Sequence, residues 1–415
     1  MLATTIKIKA KKILDSKKKP TLAVELSWDK RKVWAAAPAG TSAGRFEAKP
    51  RNTDMAIKNV NKIIAPALKN FDLTQQEAID NFLIQLDGTK NKARLGANAI
   101  IAVSLAVCRA GAALQEIPLC QYIQNLKQKI KKNYYTKKST IGEKLLSLPK
   151  PCFNIINGGV HAPAGLDFQE FMLVPQANSF AENLRIGQKV YHQLKKILFK
   201  KFGSQGIKIG LEGGFVPPLN KPEEAIELIL MAASQAKIKQ TIKIFLDVAA
   251  SQFFKKNHYQ TKFGCFTADE LIDYYGYLVK KYPIGSLEDP LAEKDWSGWT
   301  KLMKRLKNIL IIGDDLTVTN PQRIKLAHQK KACRGVIIKP NQIGTLSETL
   351  KAICLAQSYG WTIIVSHRSG ETLDDFIADL AVGVGADYIK SGAPFPKERM
   401  VKYQRLVKIE KEINS

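Results

Sequence analysis

Apolar and polar residues alternate along TTIKIKA near the start of the chain, and the segments LAVELSW and KVWAAAP follow it closely. Such a rhythm sets one face of a strand on a core and the other in water, so the three segments predict a meander that ends in the glycine-rich AGTSAG. A period near 3.6 residues then takes over. It predicts helices over 54–71 (DMAIKNVNKIIAPALKNF), 74–87 (TQQEAIDNFLIQLD) and 96–114 (GANAIIAVSLAVCRAGAAL), the last apolar enough to be largely buried. Strands first and helices afterwards suggest an α+β unit over 1–126. The lysine-rich stretch 127–150, with KKNYYTKKST inside it and LPKP closing it, reads as a linker or surface insertion.

From 151 to 415 short aliphatic runs alternate with helical segments, the pattern of βαβ units and a parallel sheet. Runs such as VII at 336–338 are continuous, as in strands covered on both faces. What ends each run is charged. IKIFLDVAAS brings Asp247, PIGSLEDP brings Glu288, ILIIGDDL brings Asp314 and Asp315, VIIKP brings Lys339, TIIVSHRSG brings His367 and Arg368, and ADYIKSGAP brings Lys390. After a longer first step, their spacing matches one helix plus one strand. A (β/α)8 barrel gathers the C-terminal ends of its strands at one mouth, where active sites lie. The fold class expected is therefore α/β, a TIM-type barrel behind an N-terminal α+β domain. Any one of these residues alone reads as a loop cap or a surface ion pair; six in phase argue for a site.

Composition changes this picture in a few places. At 415 residues the chain exceeds what one core usually organises, which supports two domains. No apolar run approaches the roughly 20 residues needed to span a bilayer, and the start lacks the apolar centre of a signal peptide, so a cytoplasmic protein without a membrane span is expected. Six cysteines lie far apart without a C-x-x-C pair, which indicates neither a zinc site nor a disulfide framework. A net charge of +27 attracts anions, from nucleic acid to small phosphorylated substrates. No basic helix or RNA-binding motif accompanies it, so a nucleic-acid partner has no motif behind it.

Three carboxylates on consecutive strands, Asp247, Glu288 and Asp314, repel one another unless a cation joins them. Oxygen donors suit Mg²⁺, and the scarcity of histidine argues against zinc. A nearby cation and a second ammonium at Lys390 favour the neutral amine at Lys339, which is then a candidate general base near neutral pH. Earlier in the barrel, NGGVHAPAGLDFQEF supplies His161 and Glu170, and GLEGGFVP supplies Glu212. Two glutamates in one site titrate together, one staying protonated and able to donate to a leaving group. Arg368 and the Ser369 hydroxyl suit a phosphate.

Together with KILDSKKKPT, NIINGG, EGGF, EDPLAEKDW, GDDLTVTNP, NQIG and SHRSGET, these residues make the chain similar to the enolase family over nearly its whole length. The resemblance implies an N-terminal α+β domain (1–126) capping a modified barrel (151–415) that begins with extra antiparallel strands. It implies a lyase of glycolysis that dehydrates 2-phosphoglycerate to phosphoenolpyruvate reversibly, with two Mg²⁺ per active site. By the same resemblance Lys339 is the base, and Glu212, supported by Glu170, protonates the departing hydroxyl. Asp247, Glu288 and Asp314 hold the first ion, and Ser42 helps hold the second. Arg368 and Ser369 hold the phosphate with His367 beside them, Lys390 contacts the carboxylate, and His161 joins on loop closure. A homodimer or higher homo-oligomer is implied too, in the cytoplasm with allowance for a cell-surface or secreted fraction.

Several positions depart from the family pattern. Leu211 stands where Asp is usual, Gln252 for Glu, Val160 for Ser, Ala43 for Thr, and DSKKKP for DSRGNP; the 127–150 stretch is longer. Outer-shell changes of this kind commonly cost roughly 10 to 100-fold in metal affinity or activity. Two alternatives compete with a working enzyme: another enolising enzyme of the superfamily, which has little reason to keep both Glu212 and the Arg368–Ser369 pair, and a catalytically weakened homologue whose basic surface binds nucleic acid or a partner.

Overall fold

The computed structural model describes residues 6–40, 46–134, 146–162 and 165–414. Strands β1 (Ile6–Leu14), β2 (Pro20–Trp28) and β3 (Arg31–Ala36) form the antiparallel meander. Its inner face, with Ile8, Val24, Leu26 and Ala35 buried, rests against helix Ala97–Leu114. That helix is long and apolar enough to cross a membrane, yet 78% of its apolar window is buried inside the protein.

The stretch 127–150 departs from the linker expected. Its first part continues helix Leu119–Tyr134, which packs on helices Leu346–Ser358 and Phe376–Val384 of the barrel; residues 135–145 lie outside the described residues. Ile123, Leu126 and Ile130 recur at helical spacing beneath the lysines. Lys127 runs its stem across this face and donates from Nζ to the Val384 carbonyl at 2.9 Å. Long charged side chains cover apolar surface while their heads stay polar, which hid the period.

The second half is a closed eight-stranded barrel. Its strands are β4 (Lys150–Asn157), β5 (Glu170–Pro175) and β6 (Ile242–Asp247), then, after a small sheet of β7 (Phe254–Lys255), β8 (His258–Thr261) and β9 (Gly264–Phe266), β10 (Ile284–Glu288), β11 (Leu310–Gly313), β12 (Gly335–Ile338), β13 (Thr362–Ser366) and β14 (Tyr388–Lys390). All barrel pairs are parallel except those of β5, which runs against both β4 and β6. Because β5 is reversed, its first residue, Glu170, lies level with Asp247, the last residue of β6, and Asp247 in turn pairs with Glu288. A conformational reversal in the chain thus adds a carboxylate to the mouth.

Cys152, Met172, Val174, Phe245, Ile312, Ile337, Ile364 and Tyr388 form small apolar clusters apart from the main core between strands and helices. They fill the barrel interior. Successive strand residues face opposite sides, so the residue two along from each of these faces inward again. Those residues are Asp247 above Phe245, Asp314 above Ile312, Lys339 above Ile337, Ser366 above Ile364 and Lys390 above Tyr388. On reversed β5, Glu170 stands above Met172.

Candidate active site

Glu170, Glu212, Asp247, Asp314, Lys339, Arg368, Ser369, Lys390, His161 and His367 line one cleft of about 560 Å³ at the barrel mouth. Glu288 lies buried just beneath, tied in through Lys390. Ser42 and Ala43 lie outside the described residues. Gly40 and Glu47 line the same cleft.

Glu212 reaches the mouth because its segment lies along the end of β4. The Asn157 N–H donates to the Phe215 carbonyl at 2.8 Å, and the Phe215 N–H to Ile155 at 2.9 Å. Gly213 makes the turn at φ +89°, where a Cβ would strike Pro396. Only glycine fits both the backbone angle and the space.

Two ammonium groups organise the carboxylates. Lys390 Nζ lies 2.9 Å from Glu288 Oε1, 3.1 Å from Asp247 Oδ2 and 2.8 Å from Glu170 Oε2. Burial alone would lower its pKa, but Asp247, Glu170 and Glu288 raise it well above the ordinary lysine value. Lys339 pairs with Asp314, whose other oxygen accepts from Gln342 Nε2 at 3.2 Å. The expected neutral amine depends on the cation that the carboxylates would hold. Burial pushes the Lys339 amine down, yet the Asp314 carboxylate outweighs it and holds the pKa above its usual value, so the chain's own groups do not make this amine a neutral base.

The carboxylates suit a hard divalent cation. Glu288 is pushed well above its ordinary pKa by burial and then by the charge of Asp247, so Lys390 only partly offsets the crowding of negative charge. A second acidic group lies beside it: ligand atoms of Asp289, Asp314 and Asp315 all fall within 4.8 Å of one another. Asp289 accepts from the backbone N–H of Asp314 at 3.0 Å and of Asp315 at 2.6 Å. It thereby clamps the loop after β11 to the loop after β10. Burial and then Asp314 push Asp315 up to about 7.

Glu170 and Glu212 share the opposite side with His161, whose Nδ1 is 3.7 Å from one and 3.9 Å from the other. Glu170 is raised well above its ordinary pKa by burial and then by the Glu212 charge. Burial pushes Glu212 up, but His367 and then His161 hold it well below its ordinary pKa; His367 Nε2 lies 3.2 Å from its Oε2, to which Asn154 Nδ2 donates at 3.0 Å. The two carboxyls move apart, Glu170 upward and Glu212 downward from the ordinary value.

Arg368 already meets a carboxylate, with Nη1 3.0 Å from Glu47 and 3.3 Å from Asn341. An anion bound there shares the guanidinium with Glu47. Several contributors escaped the sequence reading. Asp289 stands directly after Glu288 and was within reach of it, whereas Glu47, Gln169, Asn154 and Arg399 carry no local signal. Of the departures, Gln252 donates to Gln169 at 2.8 Å, and Gln169 to Asp247 at 3.1 Å, so a neutral amide relay supports that carboxylate. Leu211 contributes its carbonyl to Arg399, and Val160 is 41% exposed.

Fold and site together define an α/β-barrel protein with a capping N-terminal domain and a buried acid–base cluster at the barrel mouth. Residues 145–415 match the family model described as Enolase, C-terminal TIM barrel domain, and residues 5–123 match Enolase, N-terminal domain. The chain belongs to the enolase family.

Proposed function

We propose that the protein is a Mg²⁺-dependent hydro-lyase that converts 2-phosphoglycerate to phosphoenolpyruvate and water, reversibly. One observation carries this reading: a buried amine, two neighbouring glutamates and an arginine–serine pair face one cleft together with Asp247 and Asp314, with Glu288 buried beneath.

Asp247, Glu288 and Asp314 are the residues that would hold the cation. When bound, it supplies positive charge against the negative charge that builds on the substrate carboxylate. Arg368 and Ser369 bind the phosphate, and Lys390 orients the carboxylate end. Lys339, held at the end of β12, takes in its neutral form the proton from the carbon next to the carboxylate. Glu212 takes up the proton held by its neighbour Glu170 and delivers it to the departing hydroxyl, with His161 beside both. The barrel interior below is apolar, so water approaches from the mouth alone.

The family's habit of assembling as a homo-oligomer in the cytoplasm extends to this proposal. Absorbance of phosphoenolpyruvate after mixing the protein with 2-phosphoglycerate tests the reaction, with Mg²⁺ in one cell and EDTA in the other. Metal-dependent product is expected; folded, metal-replete protein that forms none overturns the reading.

A further inference from the structure

Arg399 lies in the first turn of the last helix, Lys397–Asn414, and is 1% exposed. It does not itself line the cleft, but it contacts residues that do. Its Nη1 lies 2.5 Å from His367 Nδ1 and donates to the Arg368 carbonyl at 2.7 Å. Its Nη2 donates to the carbonyls of Ser369 at 2.8 Å and Leu211 at 3.1 Å, and to Ser16 Oγ at 3.4 Å. One guanidinium therefore ties together the segments that carry Arg368, Ser369 and Glu212.

The chemistry of the contact with His367 has a further consequence. A guanidinium only donates, so the ring nitrogen facing it must accept. His367 Nδ1 is then unprotonated, the ring is neutral, and its single proton sits on Nε2. Nε2 is the atom that faces Glu212 Oε2. Asn154 Nδ2 donates to that same oxygen at 3.0 Å and His367 Nε2 lies 3.2 Å from it, so Oε2 is the oxygen already engaged, while Oε1 lies 3.9 Å from His161 Nδ1.

We propose that Arg399 is a positioning residue that locks the His367 tautomer and so decides which oxygen of Glu212, Oε1, takes and gives the proton. The inference rests on the reading that Glu212 moves a proton in catalysis, but the tautomer itself does not. The charged groups facing the ring are Glu212, Arg399 and Glu371, with Lys390 on the neighbouring strand. Burial, joined by Arg399, lowers the ring's pKa to about 4, against the pull of Glu212 and Glu371, so the neutral form persists through the working range. The fit is close: at Gly392 a Cβ would lie 3.1 Å from His367 Cε1.

Nitrogen-15 NMR of histidine-labelled protein reads this directly, with His367→Gln used to assign the signal among the five histidines. The wild type is expected to show a neutral ring protonated at Nε2 from pH 5 to 8. In Arg399→Met the ring is expected to gain a proton within that range, because the facing charge is gone. kcat is expected to fall roughly tenfold or more, on the scale of losing an outer-shell partner, with KM moving less and a new inflection in the kcat–pH profile. Arg399→Lys keeps a charge and a donor and is expected to restore the tautomer. A wild-type ring protonated at Nδ1 overturns the proposal, as does a folded Arg399→Met protein with the wild-type tautomer and pH profile. Absence of turnover in the wild type with the Nε2 tautomer in place would instead count against the proposed reaction.

Discussion

Two ion pairs in this protein have the same length and different meanings. Lys390 and Glu288 meet at 2.9 Å with side chains 3% and 1% exposed, and Lys301 and Asp269 meet at 2.9 Å with side chains 53% and 57% exposed. The second is one of many pairs on outer helices of a strongly basic chain, where water and salt screen the charge and hold its worth to about 0–1 kcal/mol. At the mouth there is little water to screen, so each ammonium sets the protonation of several carboxylates. Separation says little about strength; burial and the number of partners decide it.

The largest effect expected from breaking the mouth is on chemistry. Lys339→Ala should lower kcat by roughly 10² to 10⁴-fold, the usual worth of a general base, with far-ultraviolet circular dichroism unchanged. A loss below tenfold would remove Lys339 from the base role. Lys390→Met leaves Asp247, Glu288 and Glu170 facing one another. Urea unfolding should show a loss of about 3–5 kcal/mol, the usual penalty for stranding buried charge, and a wild-type midpoint would show that the network does not hold the mouth together.

A buried pair that joins the helix Ala97–Leu114 to the barrel domain extends the contrast to pH. Arg109 meets Asp374 at 2.8 Å, and Asp374, which burial alone would raise, is held below its ordinary pKa by that guanidinium. A carboxylate with a depressed folded pKa stabilises fully above its unfolded value near 4 and loses that contribution as pH falls through the folded value. The stability gap between wild type and Arg109→Met should therefore be widest above pH 5 and shrink below pH 4; a gap that stays constant to pH 3 would exclude the ionic contribution.

Smaller effects mark the edge of the network. Gln252→Leu removes the amide that orients Gln169 toward Asp247, and calorimetric Mg²⁺ titration should show affinity roughly tenfold weaker, at the low end for an outer partner. Lys301→Ala should change unfolding free energy by less than about 1 kcal/mol. A larger change there would erase the distinction between surface and mouth.

Much of the barrel is legible in the chain because strand geometry is local. Ile337 faces the interior, so Lys339 two residues on must face it too, and the same parity carries Asp247, Asp314 and Lys390 to one end. The meander and the helix Ala97–Leu114 were readable for the same reason. The helix continuing to Tyr134 was not, since lysine stems masked its apolar stripe. His367 falls on the other parity from Ser366 and Arg368, which fits its position at the edge of the cleft, with one ring nitrogen against Arg399.

The sequence by itself determined which charged groups gather at the barrel mouth, through a two-residue period and a repeat of helix plus strand. Only the tertiary structure decided the partners: Lys390 with Asp247, Glu288 and Glu170, Lys339 with Asp314, Glu47 with Arg368, and Arg399 with His367. These pairings join residues from 25 to more than 300 positions apart. They follow from strand register, barrel closure and the docking of the N-terminal domain, which set the depth and angle at which each side chain arrives. In a buried site those few ångströms determine which group keeps its proton.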